Sequence, residues 1–303
     1  MSLIRPFPAG VDLGFTKHMY LKSPVMPGSS RTRAAARLGA AVLTLALSAC
    51  AAAESDQMAV PNFNGVWVTV LVSFDDPRWK IADLVCARTG CSVEGYAYLQ
   101  TLLADPANKN RTTKQLVGDM EKFQVEANQK LLTDEARRRQ AEFDPTEEAS
   151  LDCKPDGDDL RHQITAPLPM KFEQHPDKVI MHYEYWNAVR TVYLDQATHP
   201  EGGEPSRLGH SIGHYEGNTL VVETAQMIPS VTGLPNDKPL MLSPDAKAIE
   251  RYTLSEDGQS LDMVLEIIDP AIFNGPAQSH RRMLIEPDWE LETFECESIT
   301  GEA

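Results

Sequence analysis

The 303-residue sequence has no long hydrophobic run. Its leading apolar stretch, Leu38 to Leu47, falls far short of the ~20 residues that a membrane-spanning helix needs. It also lacks a phosphate-cradling glycine loop, a haem-attachment motif and a dinucleotide-binding fingerprint, so no large cofactor is expected. Basic residues are scarce, 28 against 44 acidic, giving a net charge of −16. A chain this acidic is not expected to bind nucleic acid, because it cannot neutralise phosphates. There is no internal repeat, coiled-coil heptad or low-complexity run. Cysteine is sparse, with five in all: Cys50, Cys86, Cys91, Cys153 and Cys296.

What is present begins with an address. Arg31, Arg33 and Arg37 precede the short apolar stretch, and Leu47-Ser48-Ala49-Cys50 follows it. That order of basic, apolar and small residues before a cysteine resembles the bacterial lipobox and implies a cleaved signal with lipid added at Cys50. Met26 is a more natural start than Met1, because it leaves an n-region of ordinary length. Ala51 and Ala52 follow the cysteine. By resemblance to sorted lipoproteins, this implies an outer-membrane protein facing the periplasm, touching the membrane only through its acyl chains. Residues 51–60 read as a tether, and 61–303 as a single β domain with a helical insertion over about 93–143. In an oxidising compartment the other four cysteines suggest two disulfides. Cys86 and Cys91 are near enough to close a small loop, which would leave Cys153 to Cys296. A metal site at Cys86 and Cys91 is the competing reading, but no second close pair supports it.

Two hydrophobic periods define the fold. Gly65-Val66-Trp67 opens a strand, continued by Val68, Val70 and Val72. Leu116, Met120, Phe123, Ala127 and Leu131 recur at helical spacing. Thr112-x-x-Gln115 is a capping-box start, and Thr133 ahead of Asp134 and Glu135 a second N-cap. Beyond the polar connector at 144–157 the alternation is β-like. It runs through Val179, Met181, Tyr183 and Tyr185, through Leu220 and Val222, and through Leu261, Met263, Leu265 and Ile267. Short strands are expected near Arg282–Glu286 and Glu290–Cys296. Many strands with Gly and Pro turns imply a mainly β protein. The Gly-x-Trp opening resembles lipocalin-like barrels, in which the Trp closes one end and the Gly lets the chain pass close beneath. The expected fold is an antiparallel lipocalin-like barrel or sandwich with a helical insertion.

The candidate chemistry lies between Arg190 and Thr224. Arg190-x-x-Tyr193-Leu194-Asp195, His199-Pro200 and Gly209-His210-Ser211-Ile212-Gly213-x-Tyr215-Glu216-Gly217-Asn218-Thr219-Leu220-Val221-Val222 resemble a large group of secreted, mostly uncharacterised bacterial proteins. Glu250-Arg251-Tyr252 and Asp269-Pro270 extend the resemblance, which brings no assigned catalytic residues. The chain departs from that group at His214, Tyr215 and Asn218, and by its helical insertion.

Read as chemistry, Asp195 orienting His199 is the usual construction of a general base near neutral pH, with His210 as a further catalytic candidate. Arg190, Tyr193, Tyr215 and Arg251 are candidates for holding a ligand. The competing reading makes Arg190 and Asp195 buried structural pairs and His199-Pro200 a turn. Of Glu250 and Arg251, neighbours on a strand, one should face inward, and an inward Arg needs a carboxylate. Gly209-x-Ser211-x-Gly213 superficially matches a nucleophile elbow, but a strand pattern rather than a helix follows the Ser. His210, His214, His199 and Glu216 carry zinc-ligand chemistry. On a regular strand, however, His210 and His214 stand roughly 13 Å apart, so no metal is expected. Glu216 to Thr219 reads as a hairpin turn with Gly217 and Asn218 at positive φ. Tyr183, Tyr185, Trp186, Tyr193, Tyr215 and Tyr252 could line a pocket.

These residues point first to an envelope lipoprotein binding a small hydrophobic or aromatic molecule in a β-barrel pocket. The alternative is an isomerase, lyase or hydrolase acting on such a molecule by His/Asp acid–base chemistry. An interaction protein without a pocket is the third reading.

Overall fold

A computed structural model describes residues 60–70, 73–144, 168–235 and 237–295. Cys50, Cys153 and Cys296, with the lipidation site and the second disulfide expected there, lie outside the described residues. The fold is mainly β. Nine strands close into a barrel in the order β1 (Gly65–Val68), β11 (Ala277–Ile285), β10 (Ser260–Ile268), β9 (Lys247–Leu254), β6 (Thr219–Ala225), β5 (His210–Glu216), β4 (Val189–Tyr193), β3 (Lys178–Tyr183), β2 (Met170–Gln174) and back to β1. β7 (Val231–Thr232) and β8 (Leu240–Met241) form a separate two-stranded ribbon. Eight of the nine contacts around the barrel are antiparallel. β4 and β5 are parallel, through Val192 opposite Ser211 and Tyr193 opposite Ile212. A parallel pair cannot be joined by a tight turn, so residues 194–209 must cross over between them, and this crossover carries His199.

Period-two alternation puts the core inside the barrel. Ala248, Glu250, Tyr252 and Leu254 of β9, and Leu261, Met263, Leu265 and Ile267 of β10, are buried and face inward. With Phe172, Met181, Tyr183, Leu220 and Met283, all of these but Glu250 form one cluster that occupies the lumen. Trp67 is buried near one end, donating from its indole N–H to the carbonyl of Phe63 at 2.9 Å. Gly65, at φ 131°, passes so close to β11 that a Cβ there would lie 2.7 Å from Ile285 Cδ1. The other end is stopped by the helical insertion and the β10–β11 connection, with Leu132, Ala136, Ile272 and Phe273 joining the same cluster.

The insertion is longer than expected. It comprises α1 (Ile81–Thr89), α2 (Val93–Ala104), α3 (Thr113–Leu131) and α4 (Asp134–Glu142). Both expected N-caps are made: Thr112 and Gln115 form a reciprocal box, and Thr133 Oγ1 accepts from Ala136 N–H. Cys86 and Cys91 are disulfide-bonded, tying α1 to the start of α2. Among the described residues no helix is long and apolar enough to cross a membrane.

Four local expectations are corrected. Residues 290–295 form no strand, and β1 is only four residues long. Tyr185 leaves β3 for a short 3₁₀ turn, Tyr185–Asn187, in which Trp186 and Asn187 have φ 59° and 52°. In the β5–β6 hairpin only Gly217 has positive φ. Asn218 instead uses its side-chain amide to bond the carbonyl of Leu254.

Candidate functional site

Strand parity sorts the candidate residues onto opposite sides of the barrel wall. Arg190 points into the lumen, where Nη1 and Nη2 each donate to a Glu250 carboxylate oxygen at 2.7 Å. The side chains of Arg190 and Glu250 are 2% and 0% exposed. Tyr252 Oη donates to the same carboxylate, and Arg190 Nη1 also reaches Thr224 Oγ1 at 3.5 Å. Thr224 in turn shares a 2.8 Å hydrogen bond with Ser211 Oγ, and the guanidinium lies 5.7 Å from the centre of the Tyr183 ring. Burial and the Glu250 charge push the Tyr252 hydroxyl well above the ordinary phenol range, which keeps it a donor. Glu250 is thus the inward residue of its pair. Arg251 faces out, where it pairs with Glu216 at 2.9 Å. Of the two arginines expected to hold a ligand, Arg190 is sealed against a carboxylate and Arg251 belongs to an exposed ion pair. Ser211 is the second residue of β5, buried and facing inward, without the strand–turn–helix geometry of a nucleophile elbow.

The outer wall brings His199, His210 and Tyr193 together. The crossover is pinned beside the end of β6: Gln226 Nε2 donates to Pro200 O at 2.6 Å, and Ser206 N–H donates to Gln226 O at 3.0 Å. Gly209, at φ 65°, turns the chain into β5 where a Cβ would lie 2.6 Å from Ala225 O. His199 then lies over His210, Nδ1 to Nδ1 at 2.9 Å, with the rings at 82°. Tyr193 stacks on His210, with centroids 5.3 Å apart and planes 13° from parallel. Glu223 Oε1 lies 3.4 Å from His199 Nε2 and 3.1 Å from Lys247 Nζ. Burial, reinforced by His199, holds His210 below the ordinary imidazole range, so it is neutral near pH 7.

Asp195 is exposed, and the histidines bond each other and approach Glu223 rather than Asp195. The expected Asp195–His199 dyad is therefore replaced by Glu223–His199–His210. Sequence alone held a clue to Glu223: the 216–219 hairpin sets His210 opposite Ala225, so outward parity places Glu223 beside His210. His214 turns away to Glu216 at 3.0 Å. Among the described residues no three His, Cys, Asp or Glu side chains converge on a metal position.

The aromatic candidates do not line one pocket. Tyr183 and Tyr252 are core, Tyr193 is on the outer wall, and Tyr185 and Trp186 pack against Phe294. Tyr215 stacks near Phe63, and its hydroxyl accepts from Gln174 at 2.7 Å.

The chain matches no family model, no curated protein and no solved structure. Roles therefore rest on geometry alone.

Two further features had no sequence signal, because their parts come from distant segments. One is a polar layer between α1–α2 and the outer barrel wall. There Tyr96 Oη donates to Asp83 at 2.6 Å, Arg282 donates to Asp262 at 2.8 Å, and His280 Nε2 lies 3.0 Å from Asp262. The Tyr96 ring packs 4.0 Å from that of His280. The other is a cleft of about 470 Å³ between the insertion and the barrel. Val93, Phe123, Ala127, Leu131, Pro235 and Pro276 give it apolar lining, while Glu94, Glu126 and Lys130 are exposed at its rim.

Proposed function

We propose that the protein is an envelope-anchored binding protein that takes a small amphipathic molecule in the cleft between α2–α3 and the barrel. One observation carries this reading: the cleft's volume of about 470 Å³ lies within the usual size range of small-molecule sites. The lumen, the site first expected, is occupied by the buried cluster around Phe172, Met181, Leu220 and Tyr252. The enzyme reading has less support, because neither His199 nor His210 lines the cleft. The leader ending at Cys50 supports envelope anchoring, and the Cys86–Cys91 disulfide favours an oxidising compartment. The ligand's apolar body would lie on Phe123, Ala127 and Leu131, with its polar end toward Lys130 and the rim carboxylates.

The test is fluorescence titration of the purified protein with 1-N-phenylnaphthylamine. Ala127→Trp fills the cleft and should weaken binding by at least about tenfold, a difference of about 1.4 kcal/mol. Met181→Leu, in the lumen, should leave binding unchanged. Equal probe affinity in wild type and Ala127→Trp would exclude the cleft as the site.

A further inference from the structure

We propose that His199 and His210 form a site for a borderline divalent transition-metal ion, with Zn²⁺ as the reference ion, fastening the β4–β5 crossover to the outer wall. The site is separate from the cleft.

The two Nδ1 atoms face each other at 2.9 Å across perpendicular rings. A tetrahedral ion bound at 2.0–2.1 Å from each nitrogen needs them about 3.3 Å apart, so an opening of roughly 0.4 Å admits it. His210 is held in orientation by the Tyr193 ring, stacked at 5.3 Å between centroids. His199 Nε2 is buried without a hydrogen-bond partner, with Glu223 Oε1 behind it at 3.4 Å. When Nδ1 is the ligand, the remaining proton sits on Nε2 and faces this carboxylate. A carboxylate behind a ligating imidazole is the usual outer support of such a metal site. Without the ion the same His199 tautomer accepts a direct bond from His210 Nδ1–H; the ion would replace that bond, with the His210 proton moving to its Nε2. Two nitrogens are the protein's contribution, and water completes the coordination on the solvent side.

Isothermal titration of the purified protein with zinc chloride at neutral pH tests this. Saturable binding should disappear in His199→Ala and in His210→Ala. It should weaken by about tenfold in Glu223→Gln and remain in His214→Ala, with circular dichroism verifying each fold. If a histidine variant does not fold, imidazole ¹⁵N shifts of the wild type decide the matter. Zinc should move Nδ1 of both His199 and His210 to metal-bound values. No saturable binding, binding that survives both histidine replacements, or Nδ1 shifts indifferent to zinc would each overturn the proposal.

Discussion

Replacing Arg190 by Met would leave the Glu250 carboxylate in the lumen with no opposite charge. Its side chain is fully buried, and both oxygens are occupied by the guanidinium at 2.7 Å. Breaking a buried pair by removing one partner costs about 3–5 kcal/mol. At about 2–4 °C per kcal/mol for a domain of this size, Tm should fall by roughly 6–20 °C. The double variant Arg190→Met/Glu250→Leu removes the orphaned charge. It retains a cost of about 1–3 kcal/mol, because the Tyr252 hydroxyl loses its acceptor. Urea denaturation of wild type, both single variants and the double completes a cycle. The double should be more stable than Arg190→Met by about 2 kcal/mol, with unchanged urea m-values. A single-variant loss below about 1 kcal/mol, or strict additivity of the two substitutions, would refute the claim that this pair is a sealed structural unit.

Gly65→Ala should destabilise by about 1–3 kcal/mol, since φ 131° disfavours a side chain and the new methyl meets Ile285 Cδ1 at 2.7 Å; thermal melting measures it. Burial of Asp262 opposes its ionisation, but the His280 hydrogen bond and the charges of Arg282 and His280 outweigh this and lower its pKa. A depressed carboxyl pKa contributes stability that is present above the unfolded value and lost as pH falls through the folded value. Asp262→Asn should therefore flatten the acid limb of the stability–pH curve, and an unchanged limb would contradict the assignment.

Much of the barrel was legible because strand alternation and core burial are the same fact seen twice. The run Leu261, Met263, Leu265 and Ile267 appears as one buried face. The caps at Thr112 and Thr133 were equally readable, since each depends on atoms within four residues. The parallel β4–β5 contact was not, because parallel pairing is fixed by where a crossover lands rather than by local pattern. The site divided along the same line. His199, His210 and Tyr193 lie close in sequence, and the structure brings them together. The Asp195 assignment followed sequence proximity, whereas Glu223 reaches His199 from another strand. Glu250, sixty positions from Arg190, closes the buried pair, where strand parity had left open which of Glu250 and Arg251 faces inward. The cleft was illegible because α3, the loop at Pro235 and the turn at Pro276 meet only through tertiary packing.

The central claim is that a small amphipathic molecule occupies the cleft beside α3. Native mass spectrometry of the protein purified from cell envelopes, compared with Ala127→Trp prepared identically, tests it most directly. The account predicts a co-purifying small molecule on the wild-type chain and its loss from the variant. The same added mass on both proteins, or a wild-type mass equal to that of the processed chain alone, would contradict it.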